Sequence, residues 1–162
     1  MDTKQAILSS LTQADFVVNA YLKDLTTAEL LVRPVPGANH IAWQLGHLIS
    51  SERYFLEKLA PGTIAALPPG FDAAHNKETA ASDDPQAFLS KEEYVQLSKQ
   101  MRGETLRLLA AMTPEDLDRP VQKMPPVVKV NGDIFLFVGM HWLMHTGQWA
   151  ITRRKIGRPP LF

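Results

Sequence analysis

His141 and His145 stand four residues apart in the run His141-Trp142-Leu143-Met144-His145. On a helix this is one turn, so both imidazoles share a face. Rings placed that way can converge on one divalent ion, and neutral imidazole suits zinc, nickel or iron better than magnesium or calcium. A buried imidazole is costly unless its nitrogens find partners. A metal would satisfy one nitrogen on each ring and leave the other for an outer acceptor. Positions 142 and 143 are Trp and Leu, so the glutamate of the protease zinc helix is missing and that chemistry is excluded. The plainer reading is a pair of core or half-exposed histidines hydrogen-bonded to nearby carboxylates.

A metal site built on the pair needs a further ligand from another element. His47 lies in an apolar periodic segment and is the candidate, although it reads equally well as a satisfied core histidine. His40 falls at a helix start and His75 in an irregular stretch, which points to surface roles for both. Trp43, Trp142 and Trp149 read as core residues. Arg153-Arg154-Lys155 reads as a solvated helix end whose cations match the dipole.

Four long helical segments can carry these residues. Apolar positions return near the 3.6-residue period from Thr3 to about Leu25, without Gly or Pro. A capping box at Thr26 to Glu29 predicts one short helical turn, stopped by Pro34 and Pro36. Asn39 is the expected N-cap of the second long helix, His40 to about Leu59. Residues 61–84 are irregular, either a functional lid or a crossover with distance to cover. A second capping box at Ser90 to Glu93 opens the third long helix, which runs to Met112. Thr113-Pro114 starts another turn. Val127 to Val130 has strand composition without an evident partner strand, so a hairpin arm and an extended loop are both open. Asn131-Gly132 reads as a turn, and the last helix is expected from about Asp133, its N-cap, to Ile156.

The chain has 162 residues, expected to form one domain over 1–162. Seventeen basic residues balance seventeen acidic ones, so no global field steers the protein to nucleic acid or an anionic membrane. Cysteine is absent, which excludes a disulfide framework, a thiolate nucleophile and thiolate metal ligands. No signal-like start and no membrane-length apolar run are present, so a cytoplasmic location is expected.

Gly46-His47-Leu48, followed far along the chain by His141 to His145 and then Thr146-Gly147-Gln148, resembles the DinB/YfiT-like family. The resemblance covers essentially the whole chain in element order and spacing. It implies an all-α four-helix bundle, up-down-down-up, with short extra helical turns and a long crossover loop, often dimeric. It further implies a divalent metal, typically nickel or zinc, held by three histidines. Carried onto this chain those ligands are His47, His141 and His145. Thiol-dependent S-transferases and a mycothiol-dependent isomerase occur in the family.

Three protein ligands leave a coordination position for water or substrate. The expected function is therefore a metal-dependent thiol S-transferase acting on a small electrophile, with a low-molecular-weight thiol as cosubstrate. Hydrolysis is the enzymatic alternative. A non-catalytic metal-binding or structural bundle is the alternative outside enzymes. Glu52 and Gln148, with Asn39, are the candidates for supporting the ligands or moving protons. A homodimer is the expected assembly.

Overall fold

Four helix starts in this chain coincide with short polar side chains able to take up orphan amide groups. Asp2 accepts from the Gln5 amide at 2.8 Å while the Gln5 side chain accepts from Asp2 N, which opens α1 (Thr3–Leu22). Reciprocal pairs of the same kind, Thr26 with Glu29, Ser90 with Glu93 and Thr113 with Asp116, open α2 (Thr27–Leu30), α5 (Lys91–Ala111) and α6 (Pro114–Leu117). Between α2 and α5 lie α3 (Ile41–Leu59) and the single turn α4 (Phe71–Ala74); α7 (Asn131–Lys155) ends the set. The computed structural model describes residues 1–162, and the four long helices α1, α3, α5 and α7 form an all-α bundle.

Two helix starts differ from the sequence expectation. His40, not Asn39, caps α3: its ring Nδ1 accepts from the Trp43 amide at 3.1 Å, while Asn39 contributes only its backbone carbonyl. Asn131 and Gly132 are already helical. Asp133 is the third residue of α7, and its carboxylate reaches back to the amides of Lys129 and Val130 at 2.9 and 3.1 Å. The extended segment before α7 is pinned by a partner the sequence did not reveal. Val130 forms an antiparallel bridge with Pro120, and Val121 N donates to Lys129 O at 2.9 Å.

The helices form a ring in which α1 packs on α7, α7 on α3 and α3 on α5; the α1–α5 seam is the loosest. Leu11, Leu45, Leu48, Phe135 and Trp149 are among the side chains fully enclosed, and the buried apolar residues make one contiguous cluster. Each such side chain contributes about 1.5–3 kcal/mol of burial, which is what holds α3 and α7 in register for the site below.

Residues 61–84 are anchored rather than free. Arg33 donates to the carbonyls of Ala80 and Ser82 at 3.0 Å each and pairs with Asp83 at 2.6 Å. His40 Nε2 meets Ser82 O at 3.1 Å. Phe71 and His75 are buried in the core, so the crossover supplies core side chains as well as covering distance.

The C-terminal end of α7 also differs from expectation. Arg153 is 1 % exposed and pairs with Asp24 at the end of α1, because the neighbouring segment folds over it. It is not a solvated cation. Lys155 donates to Arg33 O at 2.8 Å. No helix is long and apolar enough to cross a membrane.

Candidate metal centre

The second helical turn of α3 and the middle of α7 face each other, and this packing brings His47 to His141 and His145. One ring nitrogen from each of the three lies within 4.8 Å of the other two, and no carboxylate joins the group. Ring centroids stand 5.1 Å apart for His47–His141, 5.0 Å for His141–His145 and 5.5 Å for His47–His145. The planes are inclined to one another, so the rings converge edge-on rather than stacking. All three residues are half-buried.

Burial removes the water that would solvate an imidazolium, and this lowers the pKa of all three rings. His141 and His145 are pushed down to about 4, first by burial and then by the neighbouring imidazoles. His47 is lowered by burial alone. At neutral pH the cluster is therefore three uncharged imidazoles with lone pairs available, the form that binds a metal.

The tautomer of His145 follows from its partners. Trp149 Nε1 is only a donor, so the Gln44 atom it meets at 2.9 Å is Oε1; Asn39 O is only an acceptor, so the Gln44 atom meeting it at 2.7 Å is Nε2. The Gln44 orientation is thereby fixed. His145 Nδ1, at 2.7 Å from the same Oε1, must donate, and Nε2 is left with its lone pair. His47 is held differently, by a parallel Trp43 ring at 5.1 Å and 4°. Trp43 is itself tied to Asn76 O at 3.1 Å. His141 lies against Phe137, which packs on Phe55.

The donor set fits a divalent transition metal: three neutral imidazoles, converging nitrogens, and an outer acceptor that orients one ring.

Of the residues expected to support the ligands, none bonds to the cluster through its side chain. Glu52 is 2 % exposed and turns toward α5, accepting from Thr105 Oγ1 at 2.5 Å and Trp142 Nε1 at 2.7 Å, with Arg102 Nη1 at 3.1 Å. Burial raises its pKa against the pull of Arg102. Gln148 is exposed. The supporting amide is Gln44, which sequence reasoning missed. A signal existed: an amide on an otherwise apolar helix face, one turn before His47.

His75 and His40, expected at the surface, are buried. His75 donates through Nδ1 to Phe71 O at 2.7 Å and accepts through Nε2 from the Tyr94 hydroxyl at 2.6 Å. Its ring lies directly over Gly46: a Cβ there would fall 2.0 Å from His75 Cδ2. Glycine at 46 is thus what lets the crossover histidine seat against α3 beside His47.

A family model described as the DinB superfamily matches residues 10–149. The crystal structure of a conserved protein from Enterococcus faecalis is similar in fold, with a TM-score of 0.63 and 18% sequence identity, over 98% of this chain and 99% of that one. No curated protein matches the chain. The family match spans most of the sequence, and the chain belongs to the DinB superfamily.

Proposed function

We propose that this DinB-superfamily protein is a metalloenzyme that activates an exogenous thiol for attack on a small electrophile. The observation that carries the reading is the convergence of His47, His141 and His145 as neutral, half-buried imidazoles. These three residues would hold a nickel or zinc ion. A divalent ion bound there would lower the pKa of a coordinated thiol or water.

The chain's own contributions are positional. Gln44 keeps the His145 proton on Nδ1 and its lone pair toward the cluster. Trp43 keeps the His47 ring from rotating. Glu52 is committed to Arg102, Thr105 and Trp142, so we assign it to holding α3, α5 and α7 together rather than to proton transfer. Gln148, exposed one turn beyond His145, is retained as a contact for the incoming substrate. With no carboxylate base in the cluster, the proton released by the incoming nucleophile goes to solvent. That favours a thiol, which needs only a modest shift to ionise at neutral pH, over water.

A homodimer is part of this proposal. Leu136, Met140, Leu143 and Ile151 are exposed along α7 at helical spacing, an apolar stripe suited to a second copy. Met140→Glu would convert a dimer to a monomer in sedimentation equilibrium.

The test of the activity uses protein purified without a nickel column or chelator. Stoichiometric nickel or zinc by elemental analysis is expected. Thiol consumption is then followed with bacillithiol, mycothiol and glutathione against chlorodinitrobenzene and bimane electrophiles. Turnover should require the metal and vanish in His141→Ala. Stoichiometric metal with no turnover would leave a non-catalytic metal-binding bundle, and no metal at all would overturn the reading.

A further inference from the structure

The loosest seam of the bundle, between α1 and α5, opens into a cavity of about 200 Å³. That is room for one small metabolite. Its floor is apolar, made by Val18, Leu106 and the Trp142 ring.

The two rims have opposite character. On α1, Asp15 Oδ1 accepts from Arg102 Nε at 2.9 Å, which leaves Oδ2 uncommitted. The Asn19 amide nitrogen donates to Asp15 O at 2.7 Å, which leaves its side-chain oxygen as an acceptor. On α5 stand Lys99 and Arg102. Arg102 is only 8 % exposed, yet its Nη1, 3.1 Å from Glu52 Oε1, makes no aligned hydrogen bond. A buried guanidinium is ordinarily saturated. Here Nη1 is enclosed against Glu52, and Nη2, which meets no protein acceptor, is the donor left for the cavity.

Gly103 adds an independent observation. It lies in the interior of α5 and lines the cavity. Glycine there disfavours the helix by about 1 kcal/mol relative to alanine. No atom lies within 4 Å of the place its Cβ would occupy, so the chain's own packing does not require glycine. What a side chain at 103 would consume is cavity space.

We propose that this seam is a second ligand site, and that its ligand is a zwitterionic α-amino acid with an apolar side chain. The carboxylate meets Arg102 and Lys99, the ammonium meets Asp15 and Asn19, and the side chain lies on Trp142, Leu106 and Val18. A simple anion would face Asp15, and a simple amine would face the two cations. Only a ligand carrying both charges suits both rims. The site shares no residue with the histidine cluster and does not depend on its metal.

Titration calorimetry on the full chain tests this with L-leucine and L-methionine. Beside them run 4-methylpentanoate, which lacks the ammonium, and 3-methylbutylamine, which lacks the carboxylate. An amino acid should bind one per chain, and each single-charge analogue should bind at least about tenfold more weakly, a loss of about 1.4 kcal/mol or more. Gly103→Leu fills the cavity without touching a charge; it should abolish binding while the helical circular dichroism and the metal content stay as in the wild type. No binding of either amino acid at millimolar concentration would overturn the proposal. So would equal binding of an analogue, or unchanged affinity in folded Gly103→Leu.

Discussion

At the crossover end of the bundle, His40 and His75 have both ring nitrogens bonded to protein. On the α3–α7 face, His47, His141 and His145 share a single protein hydrogen bond, from His145 to Gln44. Burial lowers the pKa in both sets, so titration behaviour does not separate them. Depth points the wrong way too, since the more deeply buried pair is the structural one. What separates them is the accounting of partners. His40 and His75 are complete without a ligand, whereas the cluster presents three neutral rings with nitrogens that nothing in the chain satisfies.

The contrast breaks most sharply on substitution. His141→Ala or His145→Ala should eliminate stoichiometric metal, read by elemental analysis, with the helical circular dichroism retained. His75→Ala should do the reverse. It leaves the Tyr94 hydroxyl proton without an acceptor and the Phe71 carbonyl without its side-chain donor around a cavity, a loss of about 2–4 kcal/mol in urea unfolding, with metal content unchanged once folded. If His75→Ala released the metal as completely as His141→Ala, the division into two sets would fail.

A finer probe sits between the sets. Gln44→Leu keeps the volume close but removes the acceptor that fixes His145. Metal affinity should fall by about 10–100-fold, the usual range for losing an outer partner, measured by competition with a chelating dye. An unchanged affinity would mean that the His145 tautomer does not depend on Gln44.

Acidification gives the most gradual effect. In metal-free protein His141 and His145 sit at about 4, below their ordinary 6.5, so the unfolded chain binds protons first as the pH falls. The contribution of these rings to stability is complete above about pH 6.5 and is lost as the pH drops through about 4. The urea midpoint of His141→Ala should fall less steeply across that window than the wild type. Parallel curves would locate the proton uptake elsewhere, with His40 and His75 the first places to look.

Much of this was legible from residue types and spacing. The capping boxes at Thr26 and Ser90, the helix start at Thr113-Pro114, and the periodic apolar positions of the long helices are local signals that the structure reproduces. Helix starts without such a signal were displaced by one or two residues. His40 took the capping role because its ring reaches the Trp43 amide, and Asn131 joined α7 because Asp133 satisfies the amides before it. Glu52 was expected near the histidines because the spacing along α3 allowed it. Its direction was decided by Arg102 and Thr105, fifty residues away in the chain, which no local pattern reports.

The pair His141 and His145 was fixed by the 3.6-residue period alone, since four residues on a helix return to one face whatever surrounds them. The absence of the protease glutamate was equally a matter of sequence. Only the packing of α3 against α7 decided that His47 stands within reach of that pair and that Gln44 rather than Glu52 or Gln148 bonds to it. The seating of the crossover on α3 and α5 decided that His75 is sealed against Gly46 instead of lying at the surface. A helix repeat dictates which residues share a face. Which faces meet, and which polar atoms are left without a partner when they do, depends on contacts between segments about a hundred residues apart, and those exist only in the folded chain.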